Sequence, residues 1–407
     1  MESTAIPSFS LSLPPPPKKN RIFMAVIIIA FLLVGLVAGG IIAYTITYSD
    51  FNTKLSNLQS QIGLYQSSGS NGTQQTYLIN GSISLSNLYQ QVKSSVVVIQ
   101  DLVPQYSFFG NLAGYSQQQG SGFITSVNNQ LVIVTNNHVI QDALNETVIF
   151  SNGDSYPAKV LGSDPQADLA VLSITPMPSG LTPLALVRSD TLQVGDPVVA
   201  VGSPYGLSGT LTTGVISATG RTITEDSSTN QNGQTIADII QTSTAINPGN
   251  SGGPLLTYTG DVVGITTAGI SNSQGLGFAI PSDTIIREIS SLVTSGSYNQ
   301  HPSINAAGSD MNYQIAQAMG STTTYGFLVE SVSTQNGLQG GNTQKQILGS
   351  AVTLGGDIIT AINNQRITNT DDLLSYIEQH TLPGQTINFT VIRNGQQQTI
   401  QVTIGKA

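Results

Sequence analysis

The sequence predicts a mainly β chain with two folded domains, the first all β and the second α+β, behind an apolar N-terminal segment. Three observations carry this. From Val92 to Val293, short apolar β-branched runs are cut at close intervals by Gly, Asn and Pro, which is the texture of a barrel or sandwich. From residue 298 onward, similar runs are joined to one amphipathic helical stretch. Residues 22–44, IFMAVIIIAFLLVGLVAGGIIAY, carry no charge. At 1.5 Å per residue they are long enough to cross a hydrocarbon core of about 30 Å.

Residues 1–21 read as a Pro-rich tail containing PSFSLSLPPPP. Lys18, Lys19 and Arg21 stand immediately before the apolar run, whereas its far flank has only Asp50 and Lys54 nearby. The positive-inside rule therefore places the tail in the cytoplasm and the remainder outside, held by one transmembrane helix. A signal peptide fits less well, because the run is longer than an h-region and lacks a small-x-small cleavage site. Residues 45–79 read as a stalk and linker. Tyr44, Tyr48, Phe51, Leu55, Leu58, Ile62 and Tyr65 follow a 4-3-4-3-4-3 spacing, the a/d seam of a coiled coil, and polar text from Ser67 to Thr76 ends it. Residues 80–297 form the first folded domain. Its strands include VVVIQ, GSGFITSV, LVIVT, LAVLSI, DPVVAVGSP and DVVGITTAG, and Ser282 or Asp283 caps a closing helix with Ile285, Ile289, Leu292 and Val293 on one face. Residues 298–407 form the second, with a helix over 370–379. Asn71, Asn80, Asn145 and Asn388 head N-x-Ser/Thr triplets, a weak signal in so polar a chain.

Composition excludes several classes. Net charge is −9, yet only 9% of the 407 residues are charged, which argues against nucleic-acid binding. With no cysteine there is no disulfide and no thiolate metal site, and three scattered histidines without HExxH give no metal or cofactor expectation. No G-x-x-x-x-G-K-[ST] segment is present, so coupling to ATP is not implied.

The chemistry centres on GNSGGPL, residues 249–255. Glycines leave the Ser251 hydroxyl uncrowded, and the N–H groups of Gly249 and Ser251 can converge as an oxyanion hole. Asn247, Pro248, Gly249 and Asn250 form the preceding turn, where proline fixes φ and glycine permits positive φ. A serine needs a base beside it. Of His138, His301 and His380, only His138 precedes the serine, and it closes the apolar run LVIVTNNHVI. The orienting carboxylate is best supplied by Asp168, at the entrance of ADLAVLSI. Asp164 and Asp196, each beside a proline, are weaker candidates. GNSGG also matches the G-x-S-x-G elbow, but Gly252, Gly253 and Pro254 would stop the helix that an α/β-hydrolase needs there. The order His, Asp, Ser is that of the chymotrypsin-like double β-barrel.

These segments resemble the HtrA/DegP family of serine proteases with PDZ domains. QTSTAINPGNSGGPL is similar to the family's active-serine segment, VTNNHVI to its histidine segment and ADLAVL to its aspartate segment. AVGSPYGLSGTLTTGVISATGR and GLGFAIPSD match two further strand motifs, in the right order. Ser243 departs from the pattern, which has an aspartate there. The resemblance implies a membrane-anchored, ATP-independent serine endopeptidase of protein quality control, acting on unfolded polypeptides as a homotrimer without a cofactor, its oxyanion turn able to flip to an inactive state. It also implies a specificity pocket walled by Ala245 and Ile246 on one side and Thr267, Ala268, Gly269 and Ile270 on the other, suited to small or medium aliphatic side chains. YGFLVESV, GGDIITAINNQRI and PGQTINFTVIRNGQQQTIQVTI resemble a bacterial PDZ domain, with residues 339–349 departing from its pattern. A C-terminal peptide would add to the strand at Tyr325, Gly326, Phe327 and Leu328 and face Leu374 and Ile377. A regulatory protease switched by such a peptide, or a non-enzymatic peptide-binding chaperone, is the alternative.

Overall fold

The computed structural model describes residues 84–107, 110–203, 209–224, 235–247, 249–267 and 275–407. The predicted membrane span, stalk and linker, with Asn71 and Asn80, lie outside the described residues. Among the described residues, no helix is long and apolar enough to cross a membrane.

A short helix α1 (Leu85–Val92) leads into a closed barrel. Its strands are β1 (Val96–Tyr106), β2 (Leu112–Val127), β3 (Gln130–Thr135), β4 (Glu146–Ile149), β5 (Ser155–Asp164) and β6 (Leu169–Ile174), in spatial order β1-β2-β3-β6-β5-β4. A second closed barrel follows. It comprises β7 (Pro197–Gly202), β8 (Thr210–Thr224), β9 (Thr235–Thr242), β10 (Pro254–Thr257), β11 (Val262–Thr267) and β12 (Gly277–Pro281), in order β10-β11-β12-β9-β8-β7. Strand alternation explains how two barrels share one core. In β3, Ile133 points into the first barrel while Val132 and Val134 point at the seam; in β7, Val198 and Ala200 fill the second barrel while Val199 and Val201 face the seam. The runs are therefore apolar on both faces rather than alternating with polar residues.

Helix α2 (Asn137–Ile140) is a single turn after β3, and α3 (Ser282–Ser295) follows β12. Ile285, Ile289 and Leu292 of α3 pack on the seam core with Val293 beside them, as the helical spacing predicts. The expected side-chain cap is absent. Instead the Asp283 carboxylate accepts from the Ser189 and Asp190 N–H groups at 3.0 and 2.8 Å, tying a distant loop to the helix start. Gly296, with φ +79°, ends the helix in the left-handed conformation that glycine tolerates.

The second folded region pairs β13 (Pro302–Ser303) with β22 (Gly405–Lys406). Its main sheet runs β14 (Ala306–Asp310), β15 (Phe327–Val332), β18 (Ile358–Ile362), β20 (Thr386–Arg393) and β21 (Gln396–Thr403), with β19 (Gln365–Arg366) beside β18. Helix α4 (Tyr313–Met319) lies between β14 and β15. Helix α5 (Thr370–His380) is N-capped by Asn369, whose side chain accepts from the Asp372 N–H at 2.9 Å. Leu373 and Ile377 of α5 join Phe389, Val391 and Val402 in the core. Residues 339–349, which depart from the family pattern, run into a hairpin of β16 (Thr343–Ile347) and β17 (Ser350–Leu354).

Candidate active site

Asp168 sits in the turn between β5 and β6, at φ 52°, a left-handed conformation that aspartate tolerates better than most residues. Its N–H donates to the Pro165 carbonyl at 3.1 Å. Its own carbonyl accepts from the Asn137 N–H at 3.1 Å and the Asn136 side-chain amide at 3.0 Å. These bonds aim the carboxylate at α2. There Oδ1 accepts the His138 N–H at 2.9 Å and Oδ2 lies 2.8 Å from His138 Nδ1. Asp168 is 2% exposed, so this pair is shielded from water on the carboxylate side. A carboxylate can only accept, so Nδ1 carries the proton and the lone pair lies on Nε2. An imidazole so held can take a proton from a nucleophile and return it.

Ser251 lies at the tight turn before β10, 5% exposed. Every peptide plane around it that the structure describes is pinned. The Asn250 N–H donates to the Asn247 carbonyl at 3.0 Å, closing the predicted turn. The Asn250 carbonyl accepts from Thr266 Oγ1 at 2.7 Å and from the Gly253 N–H at 2.9 Å. The Ser251 carbonyl accepts from the Ser121 N–H at 2.8 Å, and the Gly252 N–H donates to the Thr266 carbonyl at 2.9 Å. Gly249 has φ +100° and Gly252 φ +84°. A Cβ on Gly252 would stand 2.1 Å from the Ser121 carbonyl oxygen, so only glycine fits.

Strand β11 joins the two halves of the site. Thr266 braces the serine turn, and the hydroxyl of Thr267 reaches Asp168 Oδ2 at 3.4 Å. Of the other pocket residues, Ile246 packs against the second barrel's core and Ala245 accepts from Thr212 Oγ1 at 3.1 Å. Ala268, Gly269, Ile270 and Pro248 lie outside the described residues. Ser243, the departure from the family pattern, exchanges two hydrogen bonds with Val215, one of them from the Val215 N–H to its hydroxyl at 3.0 Å.

The weaker aspartate candidates are occupied elsewhere. Asp196 closes a turn by accepting from the Gln193 N–H at 2.8 Å. Asp164 belongs to a buried cluster that sequence reasoning missed. Its Oδ2 lies 2.6 Å from His301 Nε2, His301 Nδ1 lies 3.4 Å from Glu378 of α5, and Arg287 bonds Glu288 at 2.7 Å and Glu378. Burial would depress His301, but hydrogen bonds to Asp164 and Glu378 raise it to about 9. Burial pushes Glu288 up to about 8. Burial also works to raise Asp164, yet bonding to His301 holds it below its ordinary range. The ligand atoms of Asp164, Glu288 and His301 lie within 4.8 Å of one another, a grouping that could hold a metal. Their mutual hydrogen bonds and the nearby guanidinium already satisfy most of the cluster without one.

The peptide groove needs a correction. Strand β15, which carries Phe327 and Leu328, is paired on both sides: Leu328 lies opposite Ser309 of β14 and Ile358 of β18. An added strand has no edge to join there. Gly326, at φ +103°, approaches the Ile359 carbonyl too closely for a Cβ, and Tyr325 stacks under Arg366, whose guanidinium is 4.1 Å from its ring centroid. Of the sheet's two edge strands, β14 and β21, β14 is the one beside β15. Leu374 and Ile377 do border a cavity of about 230 Å³ together with Ile304 and Ala306 at the start of that edge, but its far wall is Ala167, Ile236 and Ile280 of the protease domain, and His301 and Glu378 also face it.

Helix α5 also docks on the second barrel. Asp371 accepts from Arg221 at 3.1 Å and from the Thr222 N–H at 2.9 Å, and Asp238 accepts from Ser375 and Gln379 at 3.0 and 2.6 Å. Burial raises Asp238 to about 6.

Comparison with known proteins agrees with this architecture. The family model for a trypsin-like peptidase domain matches residues 120–265, and that for a PDZ domain matches residues 320–404. Protease Do-like 1, chloroplastic, of Arabidopsis thaliana is 37% identical over 326 residues, covering 78% of this chain and 70% of the relative. Periplasmic pH-dependent serine endoprotease DegQ of Escherichia coli (strain K12) is 37% identical over 288 residues, covering 70% of this chain and 59% of the relative. The chain thus spans 59% to 70% of the length of these two relatives. Among solved structures, the HtrA-type protease AlgW with tripeptide superposes with a TM-score of 0.58 at 31% identity, over 80% of this chain and 97% of that one. Two barrels with a serine turn and a His–Asp pair at their seam, followed by a PDZ domain, place this chain in the HtrA/DegP family of trypsin-like serine proteases.

Proposed function

We propose that the chain is an ATP-independent serine endopeptidase acting on unfolded or damaged extracytoplasmic proteins. The observation that carries this is the pair of hydrogen bonds that His138 donates to the Asp168 carboxylate, from its backbone and ring N–H, beside the pinned turn of Ser251. Ser251 attacks the scissile carbonyl while His138 Nε2 takes its proton and later gives it to the leaving amine. Asp168 stabilises the imidazolium, and the N–H groups of Gly249 and Ser251 hold the oxyanion. Water then repeats the sequence on the acyl-enzyme. The pocket expected between Ala245 and Ile246 on one wall and Thr267, Ala268, Gly269 and Ile270 on the other would suit small or medium aliphatic side chains. The substrate arrives extended and pairs near Thr266. A span over residues 22–44 anchors the chain with its protease domain outside the cell, and the heptad seam supports a homotrimer. Ser251→Ala should abolish cleavage of unfolded casein and labelling by a fluorophosphonate. Retention of either would place the nucleophile elsewhere.

One observation favours regulation by peptides. Leu374, Ile377 and Glu378 of α5 border a cavity that reaches the start of β14 on one side and the protease domain on the other, and Asp371, Ser375 and Glu378 of the same helix bond to the protease domain. A peptide carboxylate entering that cavity acts on a helix already bonded to the catalytic domain.

A further inference from the structure

We propose that Ser121 is a positioning residue that keeps the oxyanion turn in its working form; this rests on the serine-protease reading above. Ser121 is fully buried on β2, in the first barrel, whereas the turn it grips belongs to the second. Its hydroxyl donates to the Gly249 carbonyl at 2.6 Å and accepts from the Ser203 N–H at 2.9 Å. Because the Ser203 N–H occupies a lone pair, the single hydroxyl proton is directed at Gly249. The backbone N–H of Ser121 donates to the Ser251 carbonyl at 2.8 Å, and its carbonyl accepts from Thr135 Oγ1 at 2.8 Å.

These contacts fall on the carbonyls of the same two residues whose N–H groups must hold the oxyanion. The peptide plane joining Gly249 to Asn250 is bonded at both ends, to the Ser121 hydroxyl through its carbonyl and to the Asn247 carbonyl through its N–H. With that plane fixed, the direction of the Gly249 N–H depends on the two torsions at the Gly249 Cα, where φ is +100° and glycine leaves both soft. Remove the hydroxyl and the plane loses one of its two anchors. The Gly249 donor then spends time turned away, while Ser251, His138 and Asp168 stay in place. A purely structural Ser121 would cost stability and weaken every ligand alike. A positioning Ser121 costs transition-state binding selectively.

The test is Ser121→Ala in the full chain, assayed on a cleavable peptide. Loss of a whole oxyanion donor costs roughly 100- to 1000-fold in kcat. A donor that is merely loosened should cost roughly 10- to 100-fold, with KM within about twofold of wild type. A peptide boronate, which forms a tetrahedral adduct on Ser251, should weaken by a similar factor. An uncleaved peptide of the same sequence, measured in the Ser251→Ala background with and without Ser121→Ala, should bind equally to both. Should Ser121→Ala fail to fold, Ser121→Cys keeps the volume with a much weaker donor. It should then show the same disparity between boronate and peptide with a kcat loss of at least roughly fivefold. Equal weakening of boronate and peptide, or a kcat within threefold of wild type, overturns the inference. Full activity in Ser251→Ala alone would instead overturn the serine-protease reading.

Discussion

Replacing His301 by Gln should make stability lose much of its dependence on pH. The imidazole side chain is 6% exposed, lies 2.6 Å from Asp164 and 3.4 Å from Glu378, and meets the Tyr298 ring edge-on at 4.9 Å between centroids. Its rise from 6.5 to about 9 corresponds to about 3 kcal/mol of preference for the charged form in the folded state. The folded value is the raised one, so this stabilisation is complete below pH 6.5 and is lost as the pH climbs through 9. Glutamine keeps a donor but no charge and can satisfy only one of the two carboxylates. In a Ser251→Ala background, which prevents self-cleavage, urea unfolding at pH 5.5 should show His301→Gln less stable by about 3 kcal/mol, rising toward 5 if Glu378 is stranded. At pH 9.5 the difference should shrink below about 1 kcal/mol. Glu288 acts in the same direction in both proteins. With its folded value raised to about 8, its contribution is greatest below 4.5 and declines as the pH rises toward 8. A wild-type–variant gap that is constant from pH 5.5 to 9.5, or that widens with pH, would refute the charged clamp.

Four further outcomes follow from the structure. Asp168→Asn should lower kcat by about ten-thousandfold, because the amide reverses the tautomer that the carboxylate selects; this is read from steady-state kinetics with the unfolding midpoint as a folding control. Gly252→Ala should be severely destabilising, by over about 2 kcal/mol, since φ +84° and a carbonyl 2.1 Å from the new Cβ leave it no place, and circular dichroism in urea checks it. Leu374→Glu should weaken a C-terminal peptide at least about tenfold by calorimetry, whereas Phe327→Ala should lower the unfolding free energy by about 3 kcal/mol in urea titration, because Phe327 is core.

Much of this was legible because the informative residues sit in local text. His138 stands just past an apolar strand, Asp168 just before one, and Ser251 among glycines that its turn requires, so each could be recognised from its neighbours alone. The peptide groove was not legible in that way. YGFLVESV is the conspicuous apolar segment of its domain because β15 is covered on both edges, and that burial is what disqualifies it. The edge strand beside β15, AAGSD, is short and half polar, one of the ways an edge strand is kept from pairing with other chains, and so carries no local signal. Nor does any spacing announce that Asp164, Glu288, His301 and Glu378 meet, since they come from four separate segments.

The sparse charge of the chain takes on meaning once those contacts are known. Five arginines lie among the described residues, and all are engaged: Arg188 with Asp190, Arg221 with Asp371, Arg287 with Glu288 and Glu378, Arg366 over Tyr325, and Arg393 with Asp357. Two of the five hold α5 against the protease domain. They are not equivalent. Arg221 is 48% exposed, and pairs of that kind are worth about 0–1 kcal/mol. Arg287 and Glu378 are 24% and 14% exposed and share Glu288 and His301, so separating them strands charge away from water. The work of lifting α5 is therefore concentrated at one end of the helix, where Glu378 meets Arg287 and His301. Because Glu378 and His301 themselves face the cavity beside Leu374 and Ile377, a ligand entering it meets α5 at its tightly held end, while the Asp371 end is the one that costs less to release.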